Sequence, residues 1–343
     1  MRYLLLLFLA ASAAAQWLTQ NSGTDASLRG ISAVSANVAW ASGSNGAVLR
    51  TVDGGEHWQK LTVEGAQQLD FRDIQAFSES TAFALSIGPG EQSRIYKTTN
   101  AGQHWTLQFT NHDPKAFYDC FAFWDEKHGI AVSDSVNGAF PLIITTDGQT
   151  WNTLHPEVMP AALANEGAFA ASGTCIATAG KNDVWFGTGG PAARVFHSQD
   201  RGQSWTVANS PLLSGAAPQG IFSVAFHDAK NGAITGGDYE KAKNSQQNFA
   251  FTHDGGEHWI TPKIPPGGYR SAVVFPGKSP GKSKDVLIAI GTTGSDYSID
   301  GGNTWRPLDT ADYNAASFAS DGAGWAVGPK GRIAKFTGLP AGN

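Results

Sequence analysis

The sequence has little charge and few cysteines. Only 15% of its 343 residues are charged, well below the quarter usual in globular domains, which argues against coiled coils and helix-rich folds. Its 2 cysteines are too few for a disulfide scaffold or a four-thiolate zinc site. Lys and Arg number 24 against 29 Asp and Glu, so the chain has no overall basic character for binding nucleic acid.

Recognisable catalytic motifs are also missing. We find no nucleophile elbow, HExxH zinc motif or dinucleotide-binding fingerprint. Gly277, Gly281, Lys282 and Ser283 are spaced one residue short of a phosphate-binding loop and are not followed by a helical pattern, so we expect a basic hairpin loop at 276–285. The sequence therefore predicts no cofactor and no metal.

The residues that are abundant favour an all-β fold. The chain contains 41 Gly and 11 Trp, and its hydrophobic fraction of 41% is enough for a packed core. Intrinsic disorder is excluded, because disordered chains are poor in such residues.

The N-terminus has the pattern of a secretory signal peptide. Residues 1–15 contain one Arg, an apolar run from Leu4 to Leu9, and small residues ending in Ala13-Ala14-Ala15. The run is too short for a permanent membrane span, and no cysteine follows it to carry a lipid anchor. The alternative is a buried N-terminal helix. We expect a mature chain of residues 16–343, without a transmembrane segment, in the periplasm or secreted.

An eight-residue pattern, [ST]-x-[DN]-x-G-x-x-W, recurs along the chain. It ends at Trp58, Trp105, Trp205, Trp259 and Trp305, and a copy one residue shorter ends at Trp151. The acidic or amide residues of the six copies are spaced by 47, 47, 53, 54 and 46 positions, namely Asp53, Asn100, Asp147, Asp200, Asp254 and Asp300. Such regular spacing indicates one structural unit repeated along the chain.

The pattern predicts a β-hairpin turn. An Asp or Asn side chain accepts backbone N–H bonds inside a turn, and Gly adopts the positive φ that other residues resist. The pattern resembles the Asp-box, or bacterial neuraminidase repeat, found on β-propellers. We therefore assign the six acidic or amide residues a structural role, and expect no metal because each copy supplies only one carboxylate.

Strand patterns upstream of each turn complete a propeller blade. Apolar and polar segments alternate as four short strands in about 47 residues, and 328 mature residues contain about seven such units. Residues 314–336 form a seventh unit without a turn of this kind, and Trp17-Leu18-Thr19 resembles the strands that follow the other turns. We predict a single seven-bladed β-propeller with four-stranded blades, whose last blade is closed by the N-terminal strand.

Aligning the repeats places several polar residues where inner strands begin, around the central channel. Arg29, Arg72 and Arg270 come from the first, second and sixth blades, which are near neighbours in a closed ring of seven. The accompanying residues are Asp73, Tyr118, Asp119 and Tyr269. Arginine forks bind carboxylates and phosphates, so one hypothesis is a rim that binds an anion or an acidic chain terminus. The alternative is that each arginine pairs with a nearby aspartate.

Two further features deviate from the repeat. Cys120 and Cys175 fall at the same inner-strand register of adjacent blades. An oxidising compartment favours a disulfide between them, but equivalent positions on neighbouring blades can exceed the roughly 7 Å Cα limit, and two buried thiols are the alternative. The loop 238–248 is longer than its counterparts and is either a binding loop or a tolerated insertion.

The segment LRGISAVSANVAWASGSNGAVLRTVDGGEHW, residues 28–58, resembles the photosystem II stability/assembly factor family, with weaker similarity over the mature chain. That resemblance implies an exported seven-bladed propeller that assists assembly without catalysis and contacts its client through an arginine patch. Arg29, Arg72 and Arg270 are the residues that would form such a patch here. We therefore expect a monomeric scaffold for an envelope or membrane protein, with a protein client or a small anionic or carbohydrate ligand.

The alternative function is a sialidase-like glycoside hydrolase. Asp-box repeats also occur in sialidases, and an arginine trio resembles the clamp that holds a sialic acid carboxylate. The Arg-Ile-Pro start of those enzymes is absent here. Hydrolysis would need a positioned acid and a nucleophile or base, and the available groups are Asp73, Asp119, Tyr118 and Tyr269.

Overall fold

The computed structural model describes residues 16–277 and 283–340. The predicted signal peptide lies outside these residues, as does most of the glycine- and lysine-rich part of the loop 276–285. The described residues form seven sheets of four strands arranged as the blades of a β-propeller. No helix within these ranges is long and apolar enough to cross a membrane.

Most blades run from an inner strand to an outer strand in chain order. The first strand of the described residues is β1 (Trp17–Gln20). The first blade contains β2 (Leu28–Ala33), β3 (Ala39–Gly43), β4 (Val48–Thr51) and β5 (Gln59–Leu61). The second contains β6 (Asp70–Ala76), β7 (Ala82–Ile87), β8 (Arg94–Thr98) and β9 (Thr106–Thr110). The third contains β10 (Tyr118–Asp125), β11 (His128–Ser133), β12 (Leu142–Thr145) and β13 (Asn152–Leu154).

The remaining blades follow the same course with small variations. The fourth contains β14 (Ile176–Ala179), β15 (Asp183–Gly187), β17 (Arg194–Ser198) and β18 (Thr206–Asn209). The fifth contains β16 (Gly189–Gly190), β19 (Ala216–Phe226), β20 (Gly232–Asp238) and β21 (Phe249–Thr252). The sixth contains β22 (Ala272–Val274), β23 (Leu287–Gly291), β24 (Gly294–Ser298) and β25 (Arg306–Asp309). The seventh contains β26 (Ala315–Phe318), β27 (Gly324–Val327) and β28 (Ile333–Phe336). Short 3₁₀ turns lie at Gly90–Gln92 and Tyr239–Lys241.

The N-terminal strand closes the ring, as the sequence predicts. Strand β1 pairs antiparallel with β28, with Trp17 opposite Phe336. The Trp17 ring packs against Phe336 and Tyr313, and its Nε1 donates to Ser295 Oγ of the sixth blade at 3.2 Å. The seventh blade therefore gains its fourth strand from the other end of the described chain, which covers the edge of β28.

The fifth blade departs from the expected strand order. Its fourth strand is the two-residue β16, which pairs with the inner strand β19 rather than with the outer side of β21. After Trp259, only Ile260 pairs with β21, through an isolated bridge to Phe251. The outer strand predicted from the repeat is thus reduced to one residue in this blade.

The six repeat turns share one hydrogen-bond pattern. In the first, the Thr51 hydroxyl donates to Asp53 and accepts from the Gly55 amide, while Asp53 Oδ1 accepts from the His57 amide. The carboxylate or amide oxygen in each of the other five turns accepts in the same way from a backbone amide two to four residues later, namely at Asn100, Asp147, Asp200, Asp254 and Asp300. These side chains are used in holding their own turns.

Tryptophans and short polar side chains join neighbouring blades. Trp40 and Trp185 are fully buried, and their Nε1 atoms donate to Ser78 and Gly255 of the following blades. On the inner strands, Ser32 Oγ accepts from the Ala76 amide and Ser317 Oγ from the Ala33 amide. Apolar packing between blades and these bonds around the channel hold the ring together.

Candidate binding site at the arginine face

We call the end of the ring at which the inner strands begin the arginine face. Arg29 on β2 and Arg72 on β6 lie here, one blade apart, both partly exposed. Burial, and then the positive charge of Arg72, lower the pKa of the Arg29 guanidinium from its ordinary value. The structure therefore brings two of the three expected arginines close enough to interact electrostatically.

A segment of the fourth blade crosses this face. We call residues 167–174 the plug segment. Arg29 Nη1 donates to the Ala171 carbonyl at 3.0 Å, and Arg72 Nη1 to the Ala170 carbonyl at 2.9 Å. Arg72 Nε also donates to Asp70 at 2.9 Å. Two successive carbonyls thus orient the two guanidinium groups.

The plug segment is anchored to several blades. Ser172 Oγ donates to the Ser271 carbonyl at 2.8 Å, Thr174 Oγ1 donates to Ser223 Oγ at 2.8 Å, and the Ala168 amide donates to Asp134 at 2.9 Å. Gly173 has a φ of +70°, and a Cβ there would overlap the Asp73 carboxylate. Only glycine therefore fits at this crossing.

A cavity of about 370 Å³ occupies the centre of the ring and includes inner-strand residues of all seven blades. Asp73 and Gly173 belong to its lining, beside residues such as Gln75, Ala225 and Ser317. Because Asp73 and Gly173 lie near the beginnings of the inner strands, the plug segment separates this cavity from the arginine face.

The two cysteines tie the plug segment to the third blade. Cys120 on β10 and Cys175, which directly follows the plug segment, are joined in a disulfide with their Cα atoms 6.1 Å apart. This separation lies inside the roughly 7 Å limit that left the pairing open from sequence. Both residues are fully buried.

Three carboxyl groups lie below the arginines, of which Asp73 and Asp119 are buried and Asp134 is half-buried. Burial raises the pKa of Asp73 well above its usual range, although its carboxylate accepts from the Phe121 amide at 2.9 Å. Burial, and then the negative charge of Asp134, raise the pKa of Asp119 well above its usual range. Burial raises the pKa of Asp134 to about 6. In all three groups the raised pKa favours the protonated carboxyl group to a higher pH than is usual for aspartate.

Arg270 differs from the other two arginines, because it is buried and paired inside its own blade. It is 2% exposed and donates through Nε to Asp296 at 2.7 Å, with a second bond through Nη2. Its Nη1 donates to Thr293 at 2.9 Å. The repeat alignment locates Arg270 correctly in its blade but does not reveal Asp296 on β24, which neutralises it inside the blade.

The two tyrosines of the expected rim are buried as well. Tyr118 packs against Phe109, and burial raises the pKa of its hydroxyl to about 12. Tyr269 packs against Phe222, which itself stacks on Phe169 of the plug segment. Tyr269 interacts electrostatically with Arg29, so it supports the arginine face from below. The exposed part of the candidate site is therefore Arg29 and Arg72.

The plug segment is the feature that sequence reasoning missed. The alignment of the repeats places Gly173 at the start of the inner strand of the fourth blade, whereas β14 begins only at Ile176. A signal is present in the run Gly167-Ala168-Phe169-Ala170-Ala171-Ser172-Gly173, whose small residues suit close passage across a narrow channel.

Two repeat turns hold small clusters of exposed potential ligands. Asp53, Glu56 and His57 form one, and Asp254, Glu257 and His258 the other, each with ligand atoms within 4.8 Å of one another. These turns thus offer two carboxylates rather than the one expected. Their Asp oxygens already accept from the following backbone amide and contact the histidine ring at 2.7 Å.

Replacing Asp134 with asparagine is expected to change the pH dependence of stability. The raised pKa means that the folded state binds more protons than the unfolded state between about pH 4 and 6. The contribution of Asp134 to the free energy of unfolding is therefore complete below about pH 4 and is lost as the pH rises through about 6. Asparagine keeps an oxygen for the Ala168 amide but cannot ionise.

The measurement is the free energy of unfolding in urea at pH 4.5 and pH 7.5. Relative to the wild type, Asp134→Asn should lose less stability between these values. Asp321→Asn, at an exposed position, is the control and should follow the wild type. If Asp134→Asn lost as much stability between pH 4.5 and pH 7.5 as the wild type does, the raised pKa of Asp134 would be contradicted.

The fold defines the class of this protein, a seven-bladed β-propeller. No family model matches the chain. It is 24% identical over 226 residues to the photosystem II assembly lipoprotein Ycf48 of Synechococcus sp. (strain CC9902), a match covering 66% of this chain and 59% of that protein. The chain thus spans about three fifths of the length of that curated relative.

Solved structures of Ycf48 have the same fold. A structure described as YCF48 bound to D1 peptide matches with a TM-score of 0.67 and 15% identity, covering 94% of this chain and 97% of the other. YCF48 from Cyanidioschyzon merolae matches with a TM-score of 0.63 and 18% identity, covering 94% and 99%. The chain is therefore a seven-bladed β-propeller similar to Ycf48 in sequence and in structure.

Proposed function

We propose that this chain is an exported, non-enzymatic propeller that binds a protein client and aids the assembly or stability of an envelope or membrane protein. The similarity to Ycf48, named as a photosystem II assembly lipoprotein, supports an assembly role. The complex of YCF48 with a D1 peptide supports a polypeptide as the ligand. The signal-peptide pattern of residues 1–15 and the disulfide between Cys120 and Cys175 support an oxidising compartment outside the cytoplasm.

The pair Arg29 and Arg72 is the proposed contact for the client, and it is the single observation on which the location of the site depends. Two partly buried guanidinium groups repel each other. A carboxylate placed between them would offset both the repulsion and the burial, and arginine forks suit its geometry. The plug carbonyls hold both groups in place before binding, which reduces the entropy lost on binding. We therefore propose an acidic side chain or chain terminus of the client as the group bound.

A pull-down from membrane and envelope extracts of the source organism tests this function. The bait is the mature chain, and the variant is Arg29→Gln with Arg72→Gln, which removes both charges. We expect recovery of the client to fall at least tenfold, because the two contacts are lost together. Arg201→Gln is the matched control, since Arg201 lies in a repeat turn at the opposite end of the blade, and it should retain the client.

The folding of each bait is checked by urea unfolding. Both arginine variants should unfold within about 1 kcal/mol of the wild type, as expected for partly exposed polar contacts. A client recovered equally by the double variant would remove the arginine face as the site. An assembly role would then need another surface.

The glycoside hydrolase alternative requires three arginines that are available to hold a substrate carboxylate. Arg270 is engaged by Asp296 inside the blade, and the candidate acids Asp73 and Asp119 are buried beneath the plug segment. Hydrolysis of an aryl-sialoside or another aryl-glycoside that is abolished by Asp119→Asn would nevertheless overturn the binding role in favour of the enzyme.

A further inference from the structure

The outer edge of the fifth blade is left open by proline. In the first blade, Gln59, Lys60 and Leu61 follow the turn tryptophan and pair with Arg50, Leu49 and Val48. In the fifth blade, Ile260 exchanges backbone hydrogen bonds with Phe251 at 2.8 and 3.0 Å. Antiparallel pairing repeats these bonds every second residue, so the next partner would be the residue facing Phe249. That residue is Pro262, which has no N–H to donate.

The Phe249 backbone consequently faces away from its own sheet. The Asn248 carbonyl accepts from the Gly236 amide of β20 at 2.9 Å. By alternation along the strand, the N–H and C=O of Phe249 point to the outer side, like those of Phe251. Within the ranges that the structure describes, the outer-side backbone bonds of β21 end at Phe251. Pro265 and Pro266 then keep the following chain from returning as a strand.

A pocket occupies the place of the missing strand. It has a volume of about 410 Å³ and is lined by Phe249 and Asn248, by Pro262 and Pro265, and by neutral polar residues of the loop 238–248. The lining offers backbone groups, amide side chains and the apolar rings of two prolines, and its residues carry no charge. Because it has no charged group, the pocket suits a peptide backbone better than an ion.

A buried polar atom without a partner lies in the same lining. Asn248 is fully buried, and its Nδ2 donates to the carbonyls of Pro266 at 3.0 Å and Gly268 at 2.5 Å. These two acceptors fix the orientation of the amide. Its Oδ1 has no hydrogen-bond partner, although buried acceptors are normally satisfied.

We propose that an extended peptide segment of a partner protein binds here by adding the missing outer strand to the fifth blade. The peptide supplies the N–H that Pro262 lacks and accepts from the Phe249 amide, as in strand addition to an open sheet edge. One small or apolar side chain of the peptide enters the pocket against Pro262 and Pro265. The unpaired stretch is short and centres on Phe249, because towards the arginine face the Gln247 carbonyl already accepts from the Leu213 amide at 2.8 Å. This inference does not depend on Arg29 or Arg72.

The experiment uses a random decapeptide library displayed on phage, selected against the immobilised mature chain. Enriched peptides are synthesised, and their affinities are measured by fluorescence anisotropy. Pro262→Val restores the donor so that the chain can pair its own edge, and Ser245→Trp fills the pocket. Each substitution is expected to weaken binding at least tenfold. Pro307→Val is the matched control, because Pro307 lies in the already paired outer strand β25, and it should leave binding unchanged.

A second measurement tests the backbone pairing itself. Two series of an enriched peptide are made, one with N-methyl groups on the odd-numbered residues and one with them on the even-numbered residues. One series should lose binding and the other should keep it, since only alternate residues of the peptide face the edge. The proposal is overturned if no peptide is enriched above a control surface, if enriched peptides bind both edge variants as tightly as the wild type, or if neither methylated series is weakened. A wild-type dimer that becomes a monomer in Pro262→Val would also overturn it, in favour of self-pairing.

Discussion

Arg270→Ala is expected to lower the free energy of unfolding by about 3–5 kcal/mol, because removal of one member leaves a buried charge without its partner. Asp296 is 3% exposed and receives two bonds from Arg270. The further bond that it accepts from the Gly267 amide at 3.1 Å cannot replace a full positive charge. The loss is measured by urea unfolding at pH 7.

Arg72→Ala is the matched control for that measurement. Arg72 is an inner-strand arginine that is partly exposed and paired with Asp70, so its removal should cost less than about 1 kcal/mol. If Arg270→Ala were as stable as the wild type and instead lost the client, Arg270 would return to the binding site. The two arginines thus separate a structural role from a recognition role.

Replacing both cysteines, as Cys120→Ala with Cys175→Ala, is the second change with a large expected effect. The disulfide closes a loop with a sequence separation of 55, and the chain-entropy model gives about 4 kcal/mol of stabilisation for a loop of that size. Urea unfolding of the variant should therefore show a loss of that order. Reduction of the wild type with dithiothreitol should give a similar loss.

The same variant should loosen the plug segment. Hydrogen exchange of the amides in residues 167–174 is expected to accelerate more than exchange in the distant seventh blade, because the disulfide lies next to the plug segment. Ser172→Ala, which removes the hydroxyl that bonds to the Ser271 carbonyl and to the Thr174 hydroxyl, serves as a mild comparison. Exchange that is uniform across the ring would show that the disulfide stabilises the ring only globally.

The ring itself could be predicted from sequence because its signal is repeated. Six similar turns report the blade period, and Trp17 has the same local context as the tryptophans of the other blade ends. The seven sheets and the pairing of Trp17 with Phe336 confirm this prediction. A structural feature that recurs in every blade is predictable, because several copies of the same sequence pattern support one assignment.

The site could be predicted only in part, because its decisive features are not repeated. Alignment brings Arg29 and Arg72 to one end of the ring, but it cannot show that Asp296 neutralises Arg270. The plug segment and the truncated edge after Ile260 each occur in one blade. Their causes, a run of small residues and Pro262, become interpretable once neighbouring strands are known.

The pairing of β1 with β28 also constrains how the chain can fold. Its two strands are separated by about 320 residues, so this contact carries a large loop-closure entropy and forms late. Until the last strand is available, the first strand has no sheet to join, and an exposed edge can pair with another chain instead. A circular permutant that links the present ends and opens between two complete blades would make that step local, and should refold faster with less aggregation.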